Sequence, residues 1–397
     1  MSDHDVLVVG AGLAGLESAR GMAARGLRVL LVDHRASVDA AVHTTGIFVR
    51  RTLEDFDLPD DCLGPPVRRV VLYSPAGRAL PLESPRDEFR VGRMGALYRR
   101  MLEDCAALGV EWMPRTRYLE SRPDGAGSSV VLEGAGGRRT VRARFLVGAD
   151  GAVSRVAGAL GLDENREWIV GVEDVFRGVR ADGPPAFHCW LDPVLAPGYL
   201  AWVVSDGEEV HVGTGGYAGR FRPVEALGRF LARVAPRFGL AGRRADERRG
   251  GRIPVGGVLR RIASPRGLLV GDAAGAVSPL TAGGLDPCLR LSALAARVTA
   301  DYLAGGDTTA LEPYDGERFR RHFATRIAMR HALSAVRSPA LAEAACAALR
   351  LLPPLAHHVF FGRGSFPDVE PATRSTVAHG PVRARLLDRV LYGTSAS

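Results

Sequence analysis

The chain opens on an apolar run, "DVLVV" at 5–9, that stops at glycine; apolar residues at helical spacing follow, and a second apolar run, "RVLLVD" at 28–33, ends in an acid. Short apolar runs flanking a 3.6-residue period predict strand, helix, strand, with the strands buried on both faces. The same unit of apolar strand, aspartate with glycine, and helix recurs at "ARFLVGADGAVSRVAGALGL" (143–162) and "PRGLLVGDAAGAVSPLTAGGLDPCLRLSALAARVTADYL" (265–303). Between these two units the period changes to two. "EDVFRGVRA" (173–181) and "YLAWVVSDGEEVHVGTGGY" (199–217) predict antiparallel strands, with "SDGEE" as a turn. Beyond residue 305 the helical period returns in "EPYDGERFRRHFATRIAMRHALSAV", "PALAEAACAALRLLPPLAHHVFFG" and "PVRARLLDRVLYG", amphipathic and with arginine faces.

The first unit carries recognisable chemistry. Gly10, Gly12 and Gly15 stand in GxGxxG spacing between strand and helix, and Asp33 lies about twenty residues further on. Gly10 permits the tight turn, Gly12 lets a pyrophosphate approach the backbone, and Gly15 lets the helix pack on the strand, so that the helix amino terminus faces the anion. Asp33 is placed to accept hydrogen bonds from an adenosine ribose, and Arg35 beside it joins the cofactor-binding candidates. NAD and FAD both use such a loop.

The three units together decide between them. An amino-terminal GxGxxG, a central DG and a distal GD, in that order, resemble the flavoprotein family that includes the aromatic hydroxylases and geranylgeranyl reductases. The resemblance implies FAD. By position it gives Asp272 a hydrogen bond to the ribityl chain, aims the Gly283 and Gly284 amides at the pyrimidine edge of the flavin, and sets Pro279 and Thr281 along the ring. The residues themselves agree, because "TAGG" opens a long helix whose free amides and positive end stabilise negative charge. Arg93, in "FRVGRMGALYRRMLEDCAALGVE" (89–111), resembles the family's pyrophosphate arginine, with a surface helix cap as the alternative. In the hydroxylases the DG region serves both FAD and a passing nicotinamide, which makes Asp150 and Arg155 candidates; capping the next helix is the ordinary task of such an aspartate. "PGYLAWVVSDGEEVHVGTGG" partially resembles the aromatic, any residue, Trp, any residue, Phe, Pro pattern of the reductase branch: Tyr199 is followed by Leu, Ala and Trp202, then by Val and Val with no closing proline.

The implied fold class is α/β (α+β): a discontinuous Rossmann-like FAD-binding domain (1–60, 90–165 and 255–305), an inserted antiparallel-sheet substrate domain (61–89 and 166–254) and a C-terminal helical region (306–397). The sheet is expected to roof the flavin and the terminal helices to close the substrate chamber. Two of the four aromatics Trp168, Trp190, Tyr199 and Trp202 are expected at the ligand, the others in the core.

Composition narrows the chemistry. All 52 basic residues of the 397 are arginine, there is no lysine or glutamine, and Asn165 is the only asparagine. Lysine nucleophiles, Schiff bases and the lysine-dependent flavin halogenases are therefore excluded. The net charge of +8 comes from scattered arginines, which reads as a solvated surface and not as a nucleic-acid site. No apolar run reaches the roughly 18 residues of a membrane span, and the amino terminus is unlike a signal peptide, so the cytoplasm is the expected location. Peripheral membrane contact stays open, as do monomer and homodimer. The five cysteines show no metal spacing and read as buried reduced thiols; His357 and His358, adjacent on a helix, read as structural.

These readings converge on an FAD-dependent oxidoreductase, a reductase or dehydrogenase transferring hydride to or from a lipophilic isoprenoid- or polyketide-like small molecule. The alternatives are a monooxygenase that hydroxylates or epoxidises such a substrate, and a redox-neutral flavin-dependent cyclase or isomerase. With one dinucleotide loop, NAD(P)H or another electron donor visits transiently. One segment stands apart: "AAVHTTGIF" at 40–48, which follows the second strand. His43 has three readings there: a packed histidine, an acid/base or hydrogen-bonding group at the flavin, or a covalent flavin link, since fumarate reductases and succinate dehydrogenases hold their flavin through a Ser-His-Thr segment at a similar distance from the loop. His43, Thr45 and Trp202 are the catalytic candidates.

Overall fold

The computed structural model describes residues 4–179 and 183–362. The first strand, His4–Val9, lies at the centre of an eight-stranded sheet. It pairs in parallel with Gly137–Gly148 on one side and Val29–Val32 on the other, and Gly267–Leu269 and Glu111–Met113 extend the parallel core outward. Strands covered on both faces need continuous apolar runs, and Val6, Leu7, Val8, Leu30, Leu31 and Val147 are all fully buried. Each such side chain contributes roughly 1.5–3 kcal/mol through burial. Helix Leu13–Ala23 packs between Met94–Ala107 and Leu285–Gly305 on this sheet.

A second, seven-stranded sheet runs in the order Glu247–Pro254, Trp168–Arg177, Glu209–Gly216, Ala201–Ser205, Ala186–Trp190, Arg69–Tyr73, Ala79–Glu83. Its strands are antiparallel except for the parallel pair Ala186–Trp190 and Arg69–Tyr73. The period-two pattern splits its residues between two faces. Tyr73, Phe176, Trp190, Val203, Val210 and Val212 pack with Leu227 and Phe230 of helix Pro223–Val234. The opposite face carries Glu173, His211, Gly213, Trp202 and Cys189 and turns toward the parallel sheet.

Helices Ala324–Ala335, Pro339–Leu351 and Pro353–Phe361 close the edge of that second face, where Ala342, Cys346, Ala356 and Phe361 pack on Val70, Leu72 and Cys189. The expected helix in "PVRARLLDRVLYG" lies outside the described residues. Among the described residues no single helix is long and apolar enough to cross a membrane; only Pro339–Leu351 and Pro353–Phe361 taken together, bent by 105°, reach that composition. All five cysteines are free and buried.

Candidate active site

A cavity of about 1190 Å³ runs from the glycine loop, between the two sheets, to the C-terminal helices. Gly10 adopts φ +103°, and a Cβ there would lie 2.3 Å from the Ala149 carbonyl oxygen. Gly15 packs so tightly that a Cβ would fall 1.8 Å from the Gly10 oxygen, which is the close helix-to-strand contact its position demands. At Gly12 a Cβ would meet nothing within 4 Å. That backbone faces the open cavity, where a pyrophosphate can reach the helix amides.

Asp33, buried at the end of its strand, accepts four bonds: from the amides of Ala11 (2.7 Å) and Arg35 (2.8 Å) and from Arg35 Nε (3.0 Å) and Nη2 (2.8 Å). Burial pushes its carboxyl up, but Arg35 and the two amides together outweigh burial and hold it below the usual range. All acceptor positions of the carboxylate are filled, so Asp33 reaches a ribose only where Arg35 yields a bond. Arg35 itself lines the cavity.

At the other end of the cofactor groove, Asp272 is half-buried on the wall and its carboxylate has no hydrogen-bond partner among the described residues. Burial pushes its pKa up to about 6. Gly283 and Gly284 follow on the same wall and precede the 21-residue helix Leu285–Gly305. Ala282 has φ +51°, a left-handed conformation uncommon for a residue with a side chain, and it turns the chain into this glycine pair. Thr281 lines the cavity and its carbonyl accepts the Tyr199 hydroxyl at 2.6 Å. A cradle open at Gly12, an unpartnered carboxylate at Asp272 and paired amides at a helix start form a set that fits FAD.

Of the expected cofactor contacts, Arg93 and Pro279 lie off the cavity, and Asp150 lines it with its oxygens already engaged. Arg93 is not on the cavity: it donates to the Asp61 carbonyl (3.1 Å) and pairs with Glu208 (3.1 Å), tying the 61 loop to the turn of the second sheet. The preceding strand Phe89–Val91 pairs with Ile47–Val49, and the chain leaves that pair with the Arg93 side chain directed at Asp61. Asp150 stands on the cavity rim, but its oxygens are engaged by Ser154 Oγ (2.6 Å) and the amides of Arg155 (2.7 Å) and Val156 (3.2 Å), so it caps helix Arg155–Leu160. Pro279 is buried and does not line the cavity, whereas the adjacent Leu280 and Thr281 do.

His43 and Thr45 both line the cavity. Partial burial, followed by the charge of Arg35, holds the His43 imidazole below its ordinary pKa, so the ring is neutral at pH 7. Of the four aromatics, Tyr199 and Trp202 line the cavity, Trp190 stacks on Tyr73 in the core behind the sheet, and Trp168 lies under the Arg252 guanidinium. The Thr45 hydroxyl and the Trp202 indole N–H both donate to Glu173, a buried cavity-wall carboxylate next to buried His211. Neither Glu173 nor His211 was singled out by sequence. Their signal was a charged or titratable side chain inside an apolar strand run, "VGVED" and "EVHVG".

This geometry defines a flavoprotein of the two-sheet FAD-binding class. The profile of the FAD-binding-domain family matches residues 94–330, and that of the lycopene cyclase proteins matches residues 5–179. The digeranylgeranylglycerophospholipid reductase of Methanothrix thermoacetophila is 30% identical over 340 residues, covering 82% of this chain and 85% of the relative. The chain belongs to that reductase family and is an FAD-dependent oxidoreductase of the reductase type. Among solved structures, a geranylgeranyl bacteriochlorophyll reductase-like protein of Thermoplasma acidophilum superposes with TM-score 0.79 at 22% identity, covering 98% of this chain and 99% of the other. The p-nitrophenol 4-monooxygenase of Pseudomonas putida shares the fold at TM-score 0.69 and 20% identity, with 98% of each chain covered.

Proposed function

We propose that the protein reduces carbon–carbon double bonds of an isoprenoid chain carried on a lipid. The observation that carries this reading is the continuity of the cavity: the wall holding Gly12, Asp272 and Gly284 passes without a break into an apolar channel lined by Val70, Leu72, Phe187, Leu333, Leu349 and Val359. A long apolar chain fits that channel, and burial there favours binding at roughly 0.8 kcal/mol per CH₂.

FAD, when bound, supplies the hydride. The chain's own residues do the rest. Gly10, Gly12 and Gly15 shape the groove for the pyrophosphate, Asp272 offers an acceptor to the ribityl hydroxyls, and the Gly283 and Gly284 amides with the helix behind them stabilise negative charge on the reduced ring. Tyr199 and Trp202 form the wall where the groove meets the channel and keep water out. His43, neutral, offers a hydrogen bond to the flavin edge or the substrate. We place the protein in the cytoplasm with its substrate drawn from a lipid surface.

Anaerobic incubation of the flavin-loaded protein with reductant and a geranylgeranyl glycerolipid tests this. Saturated product without oxygen supports the reading. Product that forms only with oxygen and contains it indicates a monooxygenase, and a rearranged product of unchanged mass indicates redox-neutral chemistry.

A further inference from the structure

A line of polar side chains runs from the cavity wall to the far turn of the second sheet. Thr45 on the wall donates its hydroxyl to Glu173 Oε2, which also accepts Trp202 Nε1 at 3.1 Å. Glu173 Oε1 faces His211 Nδ1 at 3.2 Å, and on the other side of the ring His211 Nε2 lies 3.8 Å from Glu209 and 3.9 Å from Asp206. That nitrogen is buried and makes no hydrogen bond. The Glu173, His211 and Asp206 side chains are 5%, 2% and 2% exposed, and Glu209 is 20% exposed, so the line ends at solvent. The other charged neighbours are Arg249, 3.8 Å from Glu173 and 3.7 Å from Glu209, and Arg177, which donates to Glu209 at 2.8 Å.

A buried ion pair is a poor device for stability, because apolar residues of the same volume serve a sheet as well or better. Reduction of an alkene, however, needs one proton for every hydride, and an apolar channel excludes the water that would bring it. We infer that Glu209, Asp206, His211, Glu173 and Thr45 form a proton relay that supplies the substrate carbon opposite the one receiving hydride. This rests on the reductase reading.

The step balances. Hydride supplied by the reduced flavin would form one C–H bond; the Thr45 hydroxyl, released from Glu173 when that carboxylate takes the His211 Nδ1 proton, turns to the substrate and gives its own proton to the alkene π pair to form the other. The Thr45 alkoxide then takes the proton that Glu173 received from His211, which returns Glu173 to a carboxylate, and His211 is reprotonated from solvent through Glu209 or Asp206. Burial pulls the His211 ring down, but Glu173 and Asp206 outweigh it and raise it to about 9. Burial likewise pushes Glu173 up, and His211 overrides it and holds it down. At neutral pH the proton for the relay therefore waits on His211, with Glu173 as the carboxylate that receives it.

The test uses full-length flavin-loaded enzyme, with Glu173→Gln and Thr45→Val as variants. With isotope-labelled histidine, one ring signal, identified by its absence in His211→Gln, is expected to stay charged to about pH 9 in the wild type and to lose its charge near neutrality in Glu173→Gln. After anaerobic reduction of the flavin, its reoxidation by a geranylgeranyl glycerolipid is expected to slow at least ~100-fold in both variants, with flavin content and half-saturating lipid unchanged. A His211 ring that titrates like a free histidine, or variants that reoxidise at the wild-type rate, overturn the relay and leave the reductase intact. A wild-type flavin that the lipid does not reoxidise overturns the reductase reading itself, and the relay with it.

Discussion

The Trp202 indole N–H reaches Glu173 at 3.1 Å by crossing Gly213, the residue paired with both of them in the sheet. A Cβ on Gly213 would lie 2.2 Å from the indole ring. Glycine is therefore required there, and its absent side chain is what lets the aromatic wall and the buried carboxylate meet.

Gly213→Val is expected to push the indole off Glu173. Removing a donor from a buried carboxylate costs about 1–3 kcal/mol. Urea unfolding of the variant should show that loss together with a changed near-ultraviolet signal from Trp202; an unchanged midpoint and spectrum would show that the sheet absorbs the side chain.

Asp272 gives a pH signature. Its carboxyl is raised from 3.8 to about 6 in the folded protein without ligand, so the folded state holds more protons than the unfolded one across that window, and stability from this group falls as pH rises through it. Flavin hydroxyls donate to the ionised form, so FAD should bind more tightly as pH rises from 5 to 7. Asp272→Asn should weaken FAD at pH 7 by roughly 1.5–3 kcal/mol and flatten that dependence in a flavin titration. Equal pH dependence in variant and wild type would remove Asp272 from the site.

His211 works in the opposite sense. Its folded pKa of about 9 exceeds the ordinary 6.5, so its stabilisation is complete below 6.5 and is lost as pH rises through 9. Thermal unfolding of the wild type should lose more stability between pH 6.5 and 9.5 than that of His211→Gln. Parallel curves would show that the ring is uncharged.

His43 is expected to bond flavin without a covalent link, so acid precipitation should leave all the yellow colour in the supernatant. His43→Ala should retain flavin and lose about 100-fold in turnover. Colour in the pellet would instead establish the covalent link, and full turnover of the variant would reduce the residue to packing.

Much of the fold was legible because it is written in local terms. The "VLVV" and "VLLV" runs fix parallel strands, the glycine spacing fixes the loop, and Asp272 and Gly284 follow a strand and open a helix in the order the chain gives them. Residues whose role depends on direction or on cross-strand partners were not legible. Arg93 sits at the expected sequence position, yet its guanidinium meets Asp61 and Glu208. Glu173, Trp202 and His211 are brought together by register, 173 opposite 213, 202 opposite 213 and 204 opposite 211, and no spacing along the chain encodes those pairs.

Hydride delivery from FAD to an isoprenoid double bond can be followed in a single anaerobic experiment. Flavin-loaded enzyme is reduced anaerobically, a geranylgeranyl glycerolipid is added, and the flavin spectrum and lipid mass are followed together. The flavin band is expected to return without oxygen while the lipid gains two hydrogens for each flavin reoxidised. A band that returns only when oxygen is admitted, with the lipid unchanged or carrying added oxygen, would contradict it.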